Sequence, residues 1–349
     1  MTFDLILTEQ LKNHPNFLPQ DIVKLCYQSA FGGEHLKTDL KSIYNRLVDE
    51  YNKAEIADIP LFEDIGNGLC RANIGAFKYH NLPCEWLYNA FICTEFDNQF
   101  GLIKFEENIN TAIKVLGQLN NSFTQEDFIA FVNDYKKKGV LPLHHSQLYR
   151  DFENPSYRVL SSLIKSLEPI LLEIANAKNL DKPFVIAIDG RAGAGKTTYA
   201  NFLSKILNAD VVKMDHFFLP LDLRTADRFN IPGANVHYER FLKEVIPFIN
   251  KPTPFSYEKF DCSIMELNGN EEISSTKFRI VEGSYSLHPI FPSYYDLSVF
   301  VDVDEKEQIS RIKLRNGIKM AKVFKEKWIP LEDKYFNAYD IEKKADVLI

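Results

Sequence analysis

Apolar residues in the first half of the chain recur at spacings of three and four: Ile22, Leu25, Cys26 and Ala30 form one set, and Ile43, Leu47 and Tyr51 another. That spacing lines one face of a helix. Further helices are predicted over 86–96, 105–119, 125–135 and 157–177, with breaks at Gly101, Gly117, Gly139-Val-Leu-Pro142 and Asn154-Pro155. Strand-like runs are sparse there, so residues 1–178 read as a mostly α-helical domain.

The pattern changes at the polar segment Lys178-Asn-Leu-Asp-Lys-Pro183, where we place the domain boundary. It leads into Phe184-Val-Ile-Ala-Ile188, an apolar run suited to a strand buried on both faces. Similar runs return at 210–214, 278–281, 297–303 and 345–349 with helical patterns between them. Such alternation predicts an α/β domain over 179–349, a parallel sheet flanked by helices.

Composition narrows the functional classes. A chain of 349 residues that is 45% hydrophobic can bury two cores. Its net charge of −7 argues against a nucleic-acid partner, which would select a clustered basic face. No apolar stretch approaches the ~20 residues of a membrane span, and the first residues carry no basic leader, so a soluble cytoplasmic protein with no membrane partner is expected. Cys26, Cys70, Cys84, Cys93 and Cys262 are scattered without a CxxC pair, as free thiols in a reducing compartment would be.

The chemistry concentrates in Gly190-Arg-Ala-Gly-Ala-Gly-Lys-Thr197, which satisfies GxxxxGK[ST]. It follows a predicted strand and opens a helix with Tyr199, Phe202, Leu203, Ile206 and Leu207 on one face, the setting a phosphate-binding loop requires. Here the backbone of Gly190, Arg191, Ala192, Gly193, Ala194, Gly195, Lys196, Thr197 and Thr198 would wrap the phosphates of ATP. Lys196 would reach the β and γ phosphates, and the Thr197 hydroxyl would ligate Mg²⁺. The domain is therefore expected to be a P-loop NTPase domain. A GTPase would add Asn-Lys-x-Asp, but Asn52-Lys53 and Asn250-Lys251 lack the Asp, and no LSGGQ-like transporter signature is present. Small-molecule kinases remain.

Three segments carry a family resemblance: Ile188-Asp-Gly-Arg-Ala-Gly-Ala-Gly-Lys-Thr-Thr198, Met214-Asp-His-Phe-Phe218 and Val281-Glu-Gly-Ser-Tyr285. Through them, residues 184–349 resemble the uridine kinase and phosphoribulokinase family. The resemblance implies that Asp215 sits over the acceptor hydroxyl and that Glu282 ends a strand beside the metal. The residues themselves agree, since both carboxylates end apolar runs and ligands bind at the carboxyl ends of parallel strands. Asp215 could take a proton from the acceptor, and Glu282 could hold Mg²⁺ or its water. Asp302 and Asp304 also end an apolar run and rank below Glu282 as metal acids.

Arg311 and Arg315 share a helix face, and the resemblance implies a lid closing over the triphosphate; pairing with Glu305 or Glu307 on a solvated face is the alternative. His216 and Arg224, near Asp215 in a polar-aromatic insertion, are candidates to bind the acceptor. Asp-His-Phe-Phe stands where uridine kinases carry an Asp-Ser-Phe-Tyr type stretch, which leaves acceptors other than uridine open. In the first domain, convergence of Glu34, His35, His144 and His145 would build a metal or acid–base site, with helix-end hydrogen bonding as the alternative. That domain is expected to be either a regulatory or substrate-binding module or a second catalytic site. The expectation is an ATP- and Mg²⁺-dependent kinase with a small-molecule hydroxyl acceptor, homo-oligomerisation being left open. The alternative is a P-loop NTPase switch or motor acting through the first domain without an acceptor.

Overall fold

The computed structural model describes residues 2–33, 37, 39–96, 99–119, 122–177 and 181–349. The chain forms two compact units, Met1–Ser166 and Leu167–Ile349.

The first unit contains helices α1 (Phe3–Asn13), α2 (Pro19–Phe31), α3 (Leu40–Lys53), α4 (Ile74–Tyr79), α5 (Cys84–Cys93), α6 (Gly101–Leu116), α7 (Gln125–Lys137) and α8 (Gln147–Glu153). The apolar stripe of α2 buries Ile22, Leu25 and Cys26 against Leu7, Phe17, Phe105, Ile109 and Phe128, as its spacing predicts. Three strands, β1 (Phe62–Gly66), β2 (Leu69–Asn73) and β3 (Tyr157–Ser161), add an antiparallel sheet in the order β1-β2-β3. The helix predicted over 157–177 is thus corrected: Tyr157–Ser161 pairs with β2, and helix α9 spans only Leu163–Asn176. Asn154 ends α8 in a left-handed conformation, with φ of 41° and ψ of 56°, and Pro155 after it cannot continue a helix, so the chain passes on into β3. The β1–β2 turn is Asn67-Gly68, with φ of 52° and 74°, a two-residue hairpin signal that helical spacing overlooks.

In the second unit, strands β4 (Phe184–Gly190), β5 (Asp210–Lys213), β8 (Phe278–Glu282), β9 (Leu297–Val301) and β10 (Val347–Leu348) form a five-stranded sheet in the order β10-β9-β4-β8-β5. Every pairing in it is parallel. All residues of β4, β8 and β9 are buried, which is why they read as unbroken apolar runs. Helices α10 (Lys196–Leu207), α11 (Ala226–Asn230), α12 (Tyr238–Glu244), α13 (Glu305–Val323), α14 (Ile329–Tyr339) and α15 (Ile341–Lys344) complete the unit with a hairpin of β6 (Phe255–Asp261) and β7 (Glu266–Ile273). The sequence reading missed that hairpin because β7 is almost wholly exposed. Helix α13 is interrupted at Gly317, whose φ of 81° and ψ of 168° are not helical.

Register decides what the sheet presents. Glu282 aligns with Ile188 on one side and Lys213 on the other. The ends of β4, β8 and β5 therefore bring the phosphate loop, Glu282 and the turn carrying Asp215 to one edge. The second unit is a parallel five-stranded sheet flanked by helices, with the GxxxxGK[ST] loop between β4 and α10, and a mostly helical unit precedes it in the chain.

Candidate functional site

The phosphate loop starts where β4 runs hard against β9. A Cβ at Gly190 would lie 2.1 Å from the Val301 carbonyl oxygen, and φ there is 138°, so only glycine fits. Asp189, fully buried, accepts hydrogen bonds from the N–H groups of Gly190 (2.7 Å), Tyr285 (3.1 Å) and Leu287 (3.1 Å) and from the Tyr335 hydroxyl (2.9 Å). It pins the Glu282-Gly-Ser-Tyr285 segment to the loop. Burial pushes its carboxyl above the usual range, and the backbone donors partly oppose that.

A second buried acid, Glu332 on α14, accepts from the Ala192 N–H (2.9 Å) and the Ser284 hydroxyl (2.7 Å). The Ala192 carbonyl accepts from Gln308 on α13 (3.0 Å). The sequence reading singled out neither Asp189 nor Glu332. Asp189 had a signal, an acid closing a buried apolar strand; Glu332 meets Ala192 across 140 residues and had none.

Lys196 is buried, its Nζ donating to the carbonyls of Gly190 (2.8 Å) and Arg191 (2.9 Å). Thr197 Oγ1 lies 3.2 and 3.3 Å from the two Glu282 carboxylate oxygens. Burial raises the Glu282 carboxyl above its ordinary value, the negative charge of Asp215 adds to the rise, and Lys196 opposes it. A buried carboxylate that feels a second acid and touches a hydroxyl is a hard-oxygen donor set that a divalent cation would stabilise, and Mg²⁺ fits it. Gly193, Gly195, Lys196, Thr197, Thr198, Arg311 and Arg315 line one cavity of about 340 Å³. Arg311 also pairs with Glu307 at 2.8 Å and donates to the Ala194 carbonyl at 3.3 Å, while Arg315 bonds Asn316. The solvated-face pairing and the approach to the loop thus coexist. Asp302 pairs with Arg191 (2.8 Å), and Asp304 caps α13, so both carboxylates already have partners of their own.

Asp215 projects, exposed, from the single 3-10 turn Met214–Phe217 after β5. That turn is held by Arg240, which donates to the carbonyls of His216 (3.2 Å) and Glu258 and pairs with Glu244 (2.7 Å). His216 Nδ1 lies 3.1 Å from the Tyr257 hydroxyl; burial depresses its pKa. Arg224 uses Nε on the Leu219 carbonyl at 2.8 Å. In the first unit, Glu34 and His35 lie outside the described residues. His144 is exposed while its neighbour His145 is buried, and the described residues include no group of three or more His, Cys, Asp or Glu able to hold a metal.

No family model matches the chain. Among curated proteins it is similar to a pantothenate kinase of Shewanella putrefaciens, 26% identical over 184 residues, and to one of Shewanella oneidensis, 25% identical over 186. Each match takes in 44% of this chain and 57% of the relative, so the chain spans little more than half the length of these curated relatives. Among solved structures, a possible uridine kinase from Bacillus stearothermophilus aligns with 54% of this chain and 98% of its own at 19% identity, with a TM-score of 0.42. TT1252 from Thermus thermophilus aligns with 48% of this chain and 87% of its own at 16% identity, with a TM-score of 0.28. No helix among the described residues is long and apolar enough to cross a membrane.

Proposed function

We propose that the second unit is a kinase that moves the γ-phosphoryl group of ATP to a hydroxyl of a small molecule. The observation that carries this reading is the meeting of Thr197, Glu282 and the Asp215 charge beside the phosphate loop. Asp215 takes the hydroxyl proton as the acceptor oxygen bonds to the γ phosphorus and the bond from that phosphorus to the ADP oxygen breaks. Lys196, Arg311 and Arg315 neutralise charge on the transferring group. Mg²⁺ would be held by Thr197 and Glu282 and would supply further neutralisation of the phosphates. Arg224 and His216 bind and orient the acceptor on the exposed side of Asp215. The curated relatives named pantothenate kinase support an acceptor that is a small hydroxy acid, which widens the choice beyond nucleosides.

ADP release from Mg·ATP across nucleosides, sugars, amino alcohols and pantothenate tests the reading. One compound should stimulate release, and Lys196→Ala should lower the stimulated rate at least ~100-fold. Asp215→Asn should cost roughly 10²–10⁴ in kcat while ATP still binds. If every compound leaves only a slow Lys196-dependent background, the acceptor reading fails and an NTPase switch replaces it.

A further inference from the structure

The first unit holds a larger cavity, about 690 Å³, to which the phosphoryl-transfer reading assigns nothing. Its lining includes Lys24, Lys53, Arg150 and Arg158 against one carboxylate, Glu50, which pairs with Arg158 at 2.7 Å. With the histidines neutral, four cations against one anion leave the lining three charges positive, in a chain whose total is −7.

A polar network backs this cavity. Asp21, fully buried, accepts from the Ser146 N–H (2.9 Å), the Ser146 hydroxyl (2.6 Å) and the Leu18 N–H (3.0 Å), and lies 2.8 Å from His145 Nδ1. A carboxylate there fixes the proton on Nδ1, so Nε2 is left to accept the Tyr157 hydroxyl at 2.6 Å. Burial pushes His145 down to about 4, with Arg71 and Lys24 adding to the fall, so the ring stays neutral. Arg71, fully buried, donates to Gln28 Oε1 at 2.9 and 3.2 Å and sits 4.7 Å over the Tyr157 ring. With its oxygen committed to Arg71, Gln28 turns its amide NH₂ toward the Tyr157 hydroxyl at 3.3 Å. Both Tyr157 and Gln28 line the cavity. A packed structural core has no use for a cationic wall around space of this size, whereas a ligand pocket has both.

We propose that this cavity is a second ligand site, which binds a small metabolite through its phosphate monoester. Lys53, Arg150 and Arg158 face the anion, and Lys24 contacts it from the network side. Lys24 reports occupancy. Its Nζ bonds the Leu143 carbonyl at 2.7 Å, and burial together with Arg71, against the opposing pull of Asp21, lowers its pKa to about 8. The amine is therefore more often unprotonated at neutral pH than an exposed lysine is.

The test uses the full chain carrying Lys196→Ala, so that the phosphate loop does not contribute, with pyridoxal 5′-phosphate as the probe. Its aldehyde carbon forms a C=N bond to an unprotonated amine with loss of water, and cyanoborohydride supplies the hydride that fixes the adduct for peptide mapping. Lys24 should be labelled at least ten times faster by pyridoxal 5′-phosphate than by 5′-deoxypyridoxal, whose aldehyde is likewise unable to close into a hemiacetal, and both inorganic phosphate and glycerol 3-phosphate should protect it. Stronger protection by the ester identifies a phosphorylated metabolite as the ligand; protection by inorganic phosphate alone overturns the metabolite. Equal labelling by the two aldehydes overturns the site. Arg158→Gln with Lys53→Gln, both outside the Asp21–His145 network, should abolish the tenfold preference, and a preference that survives in a folded double variant also overturns the proposal. Neither result depends on whether the second unit proves to be a kinase.

Discussion

Glu282 and Glu332 are both buried acids beside the phosphate loop, yet they should answer the same substitution in opposite ways. Glu282 ionises near 4.5 when unfolded and at a higher pH when folded. Its contribution to stability is therefore complete below that value and is lost as pH rises through the folded one. Glu282→Gln cannot ionise and keeps an oxygen for Thr197. Without Mg·ATP it should raise the melting temperature at pH 8 by roughly 2–4 °C, the equivalent of about 1 kcal/mol, while activity falls. An unchanged or lower melting temperature at pH 8 would sink this account of the buried charge. Glu332 differs because two donors, Ala192 N–H and the Ser284 hydroxyl, use its two oxygens. Glu332→Gln leaves one oxygen for both and should cost about 1–3 kcal/mol in denaturant unfolding at pH 7. Lys196, Thr197, Asp215 and Glu282 were legible because a motif or a strand end marks each in the local sequence. Glu332 was not, since only the tertiary fold brings α14 to Ala192.

Among the elements, legibility followed burial. Strands β4, β8 and β9, covered on both faces, announce themselves as apolar runs, and the stripe of α2 does so by its period. The five residues of β3 merge into the apolar period of α9 and so read as helix, and the exposed face of β7 carries no pattern that marks a strand. Two glycines separate space from backbone conformation. Gly190→Ala meets the Val301 carbonyl as well as an unfavourable φ and should abolish soluble folded protein. Nothing lies within 4 Å of a Cβ at Gly317, so Gly317→Ala should cost only the ~1–3 kcal/mol of an unfavourable φ and stay soluble. Comparable yields and melting temperatures for the two variants would refute that distinction.

The chain as a whole should melt in two steps, one for each compact unit. In calorimetry, Mg·ATP at a hundredfold excess over its dissociation constant should stabilise only one step, by about 2.7 kcal/mol. A single transition that ATP shifts as a whole would contradict independent units. The change of pattern at residues 178–183 marks where the parallel sheet begins, whereas the compact units divide inside α9, where no change of composition is visible. The ties at Ala192 have a mechanical consequence for the second unit. Gln308 holds its carbonyl and Glu332 its N–H, so the excursion between them, with its interruption at Gly317 and the exposed Leu314 and Ile318, is a handle riveted at both ends to one residue of the phosphate loop. A pull on that handle reaches Ala192 through both ties and Ala194 through Arg311, so a load on its exposed side is felt at the phosphate loop.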